Sequence, residues 1–318
     1  MSYNTVVVTG GAGFIGSHLA RRLLALGNKV VIIDDISTGN IDNINSLFPN
    51  ENLKFYKTDI VSEYHLNKAL DECESDTIFH LAAWGSVPRS MNMARKYFSN
   101  NVMGTVNLLD HARIHGIKRV VFSSSSSVYG DNEDSLKTER HTGQVLSPYA
   151  STKSVCEDVM RMYHEVYGLE TVNLRYFNVF GPRQNPDGDY AAVIPKFINL
   201  MLKGEQPTIY GDGEQARDFS YVDNVVEANV LFSELNKKHV AGNTFNVACG
   251  QSTSVNNLVS KINHILGTDI QPIYAPPRKG DIKNSCADIS EAMFWGYFPE
   301  VNVNEGLEKT VEYYQQLS

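Results

Sequence analysis

Short apolar runs rich in β-branched residues alternate with amphipathic stretches along the first half of the chain. Segments 5–8, 29–33, 53–56, 77–81, 119–123 and 171–174 read as strands, because near-continuous Val, Ile and Phe marks strands buried on both faces. Segments 14–26, 63–70, 93–115 and 151–167 carry apolar residues at helical spacing and read as helices. Repeated strand–helix alternation predicts an α/β fold with a doubly wound parallel sheet and right-handed crossovers. Beyond residue 177 the rhythm loosens, punctuated by Gly181-Pro182, Asn185-Pro186, Gly211-Asp212-Gly213 and Pro276-Pro277. Residues 1–176 are therefore expected to form a cofactor domain and 177–318 chiefly a smaller C-terminal α/β substrate lobe. The helix over 222–235 and the strand over 244–247 are expected to return to the larger sheet.

Composition narrows the class. The 318 residues carry a net charge of −8 with no Lys/Arg cluster, so no nucleic-acid or anionic-membrane partner is expected. No apolar run nears the roughly 20 residues needed to span a bilayer. Residues Met1–Asn4 run straight into a strand, so no signal peptide is expected. Cys73, Cys156, Cys249 and Cys286 stand far apart, which suits a reducing cytoplasm better than a disulfide framework or a thiolate metal site. His111 and His115 share a helical face, but nothing suggests a third ligand, and no metal is expected.

Between the first strand and first helix lies Gly10-Gly11-Ala12-Gly13-Phe14-Ile15-Gly16, a G-x-G-x-x-G pattern in the context that makes it a dinucleotide site. Gly10 permits a tight turn, Gly13 lets backbone approach a pyrophosphate at the helix N-terminus beside Phe14 and Ile15, and Gly16 lets helix pack on strand. This is the opening of a Rossmann fold. Asp34 ends the second strand, where its carboxylate can accept the ribose hydroxyls; with Asp35 next to it rather than Arg, NAD is expected over NADP. Asp59, after the third strand, is read equally well as an adenine contact and as a strand-end turn residue.

Tyr149 and Lys153 are four apart at the start of a helix, so both project from one face. A nearby ammonium and a nicotinamide cation favour phenolate and would let the tyrosine act as a base. The fifth strand ends in Ser123-Ser124-Ser125-Ser126-Ser127-Val128-Tyr129-Gly130, delivering hydroxyls to the ligand-binding edge of the sheet. Add Leu81-Ala82-Ala83, Arg175-Tyr176-Phe177-Asn178-Val179-Phe180-Gly181-Pro182-Arg183-Gln184, Gly211 through Asp218, and Arg278-x-Gly280-Asp281, and nearly the whole chain resembles the extended short-chain dehydrogenase/reductase family, specifically its nucleotide-sugar 4-epimerases.

The resemblance implies that Ser125 hydrogen-bonds the sugar 4-hydroxyl, Tyr149 takes its proton and Lys153 holds the nicotinamide ribose. A hydride would leave C4 for NAD and return to the other face of a 4-keto sugar. It also implies cofactor contacts at Ile60, Leu81, Ala82, Ala83, Asn101, Ser123 and Tyr176. Substrate contacts would fall on Ser86, Ser126, Asn178, Ala192, Val193, Tyr210, Arg217, Arg278 and Asp281. A homodimer through a four-helix bundle is the expected assembly.

Related dehydratases and decarboxylases carry an acid after the catalytic serine or threonine; here Ser126 and Ser127 stand there, which leaves epimerisation. Ser285 aligns with a gatekeeper that is bulky in glucose/galactose-restricted relatives, and a small hydroxyl leaves room for a 2-acetamido group. Segments 85–90 and 183–196 also resemble the N-acetylhexosamine branch. The expectation is interconversion of UDP-N-acetylglucosamine and UDP-N-acetylgalactosamine, and of UDP-glucose and UDP-galactose. A UDP-glucuronate 4-epimerase and a non-catalytic nucleotide sensor are the alternatives.

Overall fold

The computed structural model describes residues 4–187, 191–277 and 284–317, and these group into two compact units. The first comprises residues 1–130, 145–175 and 226–245; the second comprises 131–144, 176–225 and 246–318. Segment 131–144, read from the sequence with the cofactor domain, groups with the second unit. The reason is pairing: the Lys137 amide donates to the Cys286 carbonyl, the Asp288 amide donates to the Lys137 carbonyl, and Asn246 Nδ2 donates to the same carbonyl.

In the first unit, β1 (Thr5–Thr9), α1 (Phe14–Ala25), β2 (Lys29–Asp34), β3 (Leu53–Lys57), α2 (Glu63–Asp71) and β4 (Thr77–His80) come first. Short helices α3 (Val87–Ser90) and α4 (Ala94–Tyr97) follow, then α5 (Gly104–Ile114), β5 (Arg119–Ser125), α6 (Pro148–Tyr167) and β6 (Glu170–Tyr176). With the strand Thr244–Val247 they build a seven-stranded parallel sheet, ordered Thr244–Val247, β6, β5, β4, β1, β2, β3. The order reverses between β1 and β4, and the crevice beyond the carboxyl ends of those strands is where doubly wound sheets bind ligands. Val7, Val31, Ile33, Ile78, Val120 and Phe122 form one continuous apolar layer with Leu66, Leu108, Leu109 and Met160 from the helices.

The helix expected over 93–115 is interrupted. Between α4 and α5, Phe98–Met103 forms a π-helical segment, a widened turn that frees carbonyls from the usual ladder. Thr105 Oγ1 donates to the Asn101 carbonyl at 2.5 Å and Cys156 Sγ approaches the same oxygen at 3.4 Å. Apolar spacing cannot register one extra residue per turn.

In the second unit, Ala216–Asp218 lies between antiparallel Ser252–Ser254 and parallel Asn284–Ser285. Thr208–Tyr210 pairs in parallel with Ile273–Ala275. Helices Val193–Leu202, Val255–Leu266 and Val303–Gln315 pack on one another. Among the described residues, no helix is long and apolar enough to cross a membrane.

Candidate active site

The glycine loop is shaped by contacts that forbid side chains. Gly10 has φ +73°, and a Cβ there would sit 2.6 Å from the Ala82 amide nitrogen; at Gly16 it would sit 2.2 Å from the Gly10 carbonyl. Gly13, in extended conformation, is the N-cap of α1 and supplies no capping side chain, so the turn containing Phe14 and Ile15 keeps its amide pole for an anion. The buried Asp34 carboxylate accepts from the Ala12 amide at 2.9 Å and the Ile36 amide at 2.8 Å. Burial raises its pKa, against those two donors, while Asp35 adds to the rise. Each carboxylate oxygen retains a lone pair for a ribose hydroxyl. Asp35 accepts from the Ser37 amide at 2.9 Å. These residues fit a dinucleotide.

Facing loops complete the crevice. The Leu81 amide donates to the Thr9 carbonyl and the Ala82 amide to Thr9 Oγ1, and Leu81, Ala82 and Ala83 are half-buried. Buried Ile60 packs in the core, where it blocks any Cβ on Gly104. Asp59 is exposed and accepts from the Val61 amide at 2.8 Å, the geometry of a strand-end turn residue. Asn101 uses its side chain on the protein: Oδ1 accepts from the Trp84 amide at 2.8 Å, and Nδ2 donates to the Trp84 carbonyl at 3.2 Å and Thr152 Oγ1 at 3.0 Å. Two residues on, Ser86 adopts φ +109°, a strained conformation for a residue with a Cβ. The Tyr97 hydroxyl donates toward the Gly85 and Ser86 carbonyls at 2.9 and 3.0 Å, holding that strain in place.

At the end of β5, Ser125 Oγ accepts from the Ser127 amide at 3.2 Å and its hydroxyl lies near enough to Tyr149 to act on the phenol's ionisation. Burial raises the Tyr149 pKa above its ordinary value of 10, against the Ser125 hydroxyl, which favours phenolate. The phenolate expected from the sequence is thus opposed by desolvation in the protein alone. Lys153 Nζ donates to the Ser123 carbonyl at 2.5 Å and lies 4.6 Å from the centre of the Phe122 ring. Burial brings Lys153 down to about 8, with Cys156 and Glu157 pulling it back up. Ser126 opens the single turn Ser126–Tyr129 and is half-buried.

Beneath the trio lies a network that the sequence reading did not identify. Ser124, which alone could pass for a turn residue, is buried and donates to Glu157, which forms a two-pronged ion pair with Arg175. The available signal was spacing: Glu157 follows Lys153 by four on α6.

In the second unit, Arg217 is half-buried and lies opposite Ser285 in the strand register. Asn178, at φ +33°, donates from Nδ2 to the Asp218 carbonyl at 2.9 Å. Ala192 is the N-cap of the helix that begins at Val193 and supplies no capping side chain; Tyr210 closes the strand Thr208–Tyr210. Tyr176, the last residue of β6, is buried. Arg278 and Asp281 lie outside the described residues. Among those described, no group of His, Cys, Asp or Glu could hold a metal ion.

Residues 6–248 match the NAD dependent epimerase/dehydratase family. The chain belongs to that family. A UDP-glucose 4-epimerase of Mycolicibacterium smegmatis is 39% identical over 314 residues, spanning 98% of this chain and 99% of its own. The structure of a UDP-N-acetylglucosamine 4-epimerase from Methanobrevibacter ruminantium, in complex with UDP-N-acetylmuramic acid, is 44% identical, covers 100% of both chains and has a TM-score of 0.93. A UDP-glucuronic acid 4-epimerase from Bacillus cereus, bound to UDP-glucuronic acid and NAD, is 34% identical, covers 99% of this chain and 100% of its own, and has a TM-score of 0.90. As a member of the NAD-dependent epimerase/dehydratase family, the chain is an enzyme with NAD as its cofactor.

Proposed function

We propose that this enzyme is a UDP-sugar 4-epimerase acting on UDP-N-acetylglucosamine and UDP-N-acetylgalactosamine, and also on UDP-glucose and UDP-galactose. The observation that carries the reading is the grouping of Ser125 and Tyr149 beside Lys153, with Ser126 and Ser127 where elimination or decarboxylation would need an acid. The buried carboxylate one turn further along α6, Glu157, is tied to Arg175 and Ser124, which leaves it unsuited to that duty.

NAD, when bound, supplies the reversible hydride acceptor at sugar C4, so each turnover leaves it unchanged, as suits a tightly held cofactor. Tyr149 Oη takes the proton of the sugar 4-hydroxyl and gives it back to the 4-keto oxygen as the hydride returns to the other face of C4. Ser125 Oγ orients that hydroxyl and stabilises the phenolate, and the Lys153 ammonium favours the charged form electrostatically. In the second unit, Arg217 and, by the family resemblance, Arg278 and Asp281 would bind the nucleoside diphosphate. Ser285 supports acceptance of a 2-acetamido group, being small and in register with Arg217. The similarity to a UDP-N-acetylglucosamine 4-epimerase agrees with this reading.

Separate incubations with UDP-N-acetylglucosamine, UDP-glucose and UDP-glucuronate test it. Turnover of the N-acetylated sugar is expected, and Ser285→Tyr should abolish that activity while sparing UDP-glucose. Turnover confined to UDP-glucuronate would select the alternative suggested by the 34% identical relative. An NAD-loaded protein that left all three unchanged over hours would be a sensor.

A homodimer belongs to the same reading. The α5 and α6 helices, which pack together, expose Ile114 (63%), Val166 (64%) and Tyr167 (50%), side chains that a four-helix contact would cover. Light scattering coupled to size exclusion should give twice the chain mass.

A further inference from the structure

The proposed chemistry leaves a costly group of buried side chains unused. Ser124, Glu157, Arg175 and Tyr129 are all buried. Glu157 Oε1 accepts from Ser124 Oγ and from Arg175 Nε at 2.9 Å, and Oε2 accepts from Arg175 Nη2 at 2.7 Å. Arg175 Nη1 donates to the Tyr129 hydroxyl at 3.0 Å, and the guanidinium carbon lies 4.9 Å from the centre of that ring. A buried ion pair adds little net stability, because desolvation offsets the attraction; apolar residues of equal volume often serve as well. What the pair holds is therefore the more informative question.

It holds the end of β5 against α6. Tyr149, Lys153 and Glu157 recur every four residues along one face of α6, and each meets one of three consecutive serines. The Ser125 hydroxyl neighbours Tyr149, the Ser123 carbonyl accepts from Lys153, and the Ser124 hydroxyl donates to Glu157. Two of those rungs belong to the reaction; the third ends on Arg175, which β6 contributes from beside β5.

We infer that the Glu157–Arg175 pair is a positioning device: it locks the serine rung at the end of β5 to α6, so that Ser125 meets Tyr149, and keeps a negative charge one turn from Lys153. The inference rests on the epimerase reading above. The groups facing Lys153 are Tyr149 one turn before it, the Phe122 ring, the Ser123 carbonyl, Cys156, Glu157 and His80. His80, between Thr9 and Thr105, is held neutral by burial and by Lys153, with a pKa of about 3, and offers no compensating anion. Removing the Glu157 charge should make Lys153 give up its proton at lower pH.

The experiment compares the NAD-loaded full-length wild type with Glu157→Gln, Ser124→Ala and the apolar double variant Glu157→Leu/Arg175→Met, using a UDP-sugar that the wild type turns over. Glu157→Gln should lower kcat by roughly tenfold or more with KM changed less than about threefold, since groups acting at the transition state move kcat. Its alkaline activity limb should shift to lower pH by about one unit, which general loss of stability would not produce. Ser124→Ala should lower kcat without moving the limb, and decides the matter if Glu157→Gln does not fold. The double variant should regain thermal stability without regaining kcat.

Wild-type kcat and an unmoved limb in Glu157→Gln would overturn the inference, as would recovery of kcat with stability in the double variant. The Lys153 titration, followed by NMR in NAD-free protein carrying ε-13C-lysine and assigned with Lys153→Met, reads the charge effect without turnover. A downward shift in Glu157→Gln supports the electrostatic part even if no UDP-sugar reacts, in which case the epimerase reading alone fails. An unchanged titration alongside normal wild-type epimerisation refutes the electrostatic part alone.

Discussion

Gly16→Ala is the sharpest probe of the cofactor site. The added Cβ would fall 2.2 Å from the Gly10 carbonyl oxygen and 2.9 Å from the Gly11 Cα, so backbone rather than a flexible side chain must yield. Inserting a methyl group into a packed site costs about 1–3 kcal/mol, which in a domain of this size lowers the melting temperature by roughly 2–4 °C per kcal/mol. The larger effect should fall on NAD. Displacing α1 from Gly10 moves the amides that would face a bound pyrophosphate, and a hydrogen bond to a charged group is worth about 1.5–3 kcal/mol. Losing one such bond weakens binding roughly 10- to 150-fold. Calorimetric titration of stripped protein with NAD measures this directly. Gly85→Ala is the control, because its Cβ would meet nothing within 4 Å. If Gly16→Ala bound NAD like the wild type and melted at the same temperature, the close-packing argument for the loop would be wrong.

Further predictions concern the second unit and the strained loop. Asp218 is fully buried and accepts from the Cys249 and Gly250 amides at 3.0 Å and the Ala287 amide at 3.2 Å, yet burial lifts it from an ordinary 3.8 to about 6. Below about pH 6 the folded form takes up a proton that the unfolded chain does not bind until near 3.8, so stability should rise as pH falls across that window. The effect is worth up to about 3 kcal/mol, and Asp218→Asn should remove it from urea midpoints measured between pH 4 and 7. Tyr97→Phe keeps the buried ring but leaves the Gly85 and Ser86 carbonyls without its hydroxyl, at a cost of about 1–3 kcal/mol. Relaxation of Ser86 should then raise KM for the sugar nucleotide more than it lowers kcat, as steady-state kinetics would show.

The alternation of buried strands with amphipathic helices, together with a glycine loop in its strand–helix setting, determined the parallel sheet and the dinucleotide cofactor by itself. Both follow from local rules, since β-branched runs and backbone-only turns bear their signatures within a few residues. The Tyr149–Lys153 pair was legible for the same reason, because helical spacing places four-apart residues on one face. Only the tertiary structure decided what those residues touch. Ser124 passes for a turn hydroxyl in sequence and becomes a buried donor once Glu157 and Arg175 converge on it from a separate helix and strand. Asn101 sits in a π-helical turn that puts its amide against Trp84, a contact no spacing in the sequence announces. Segment 131–144 joins the second unit through pairing with residues about 150 positions away. Likewise, desolvation of Tyr149 depends on the elements packed around it, so spacing supplied a candidate base and burial set how hard it is to ionise.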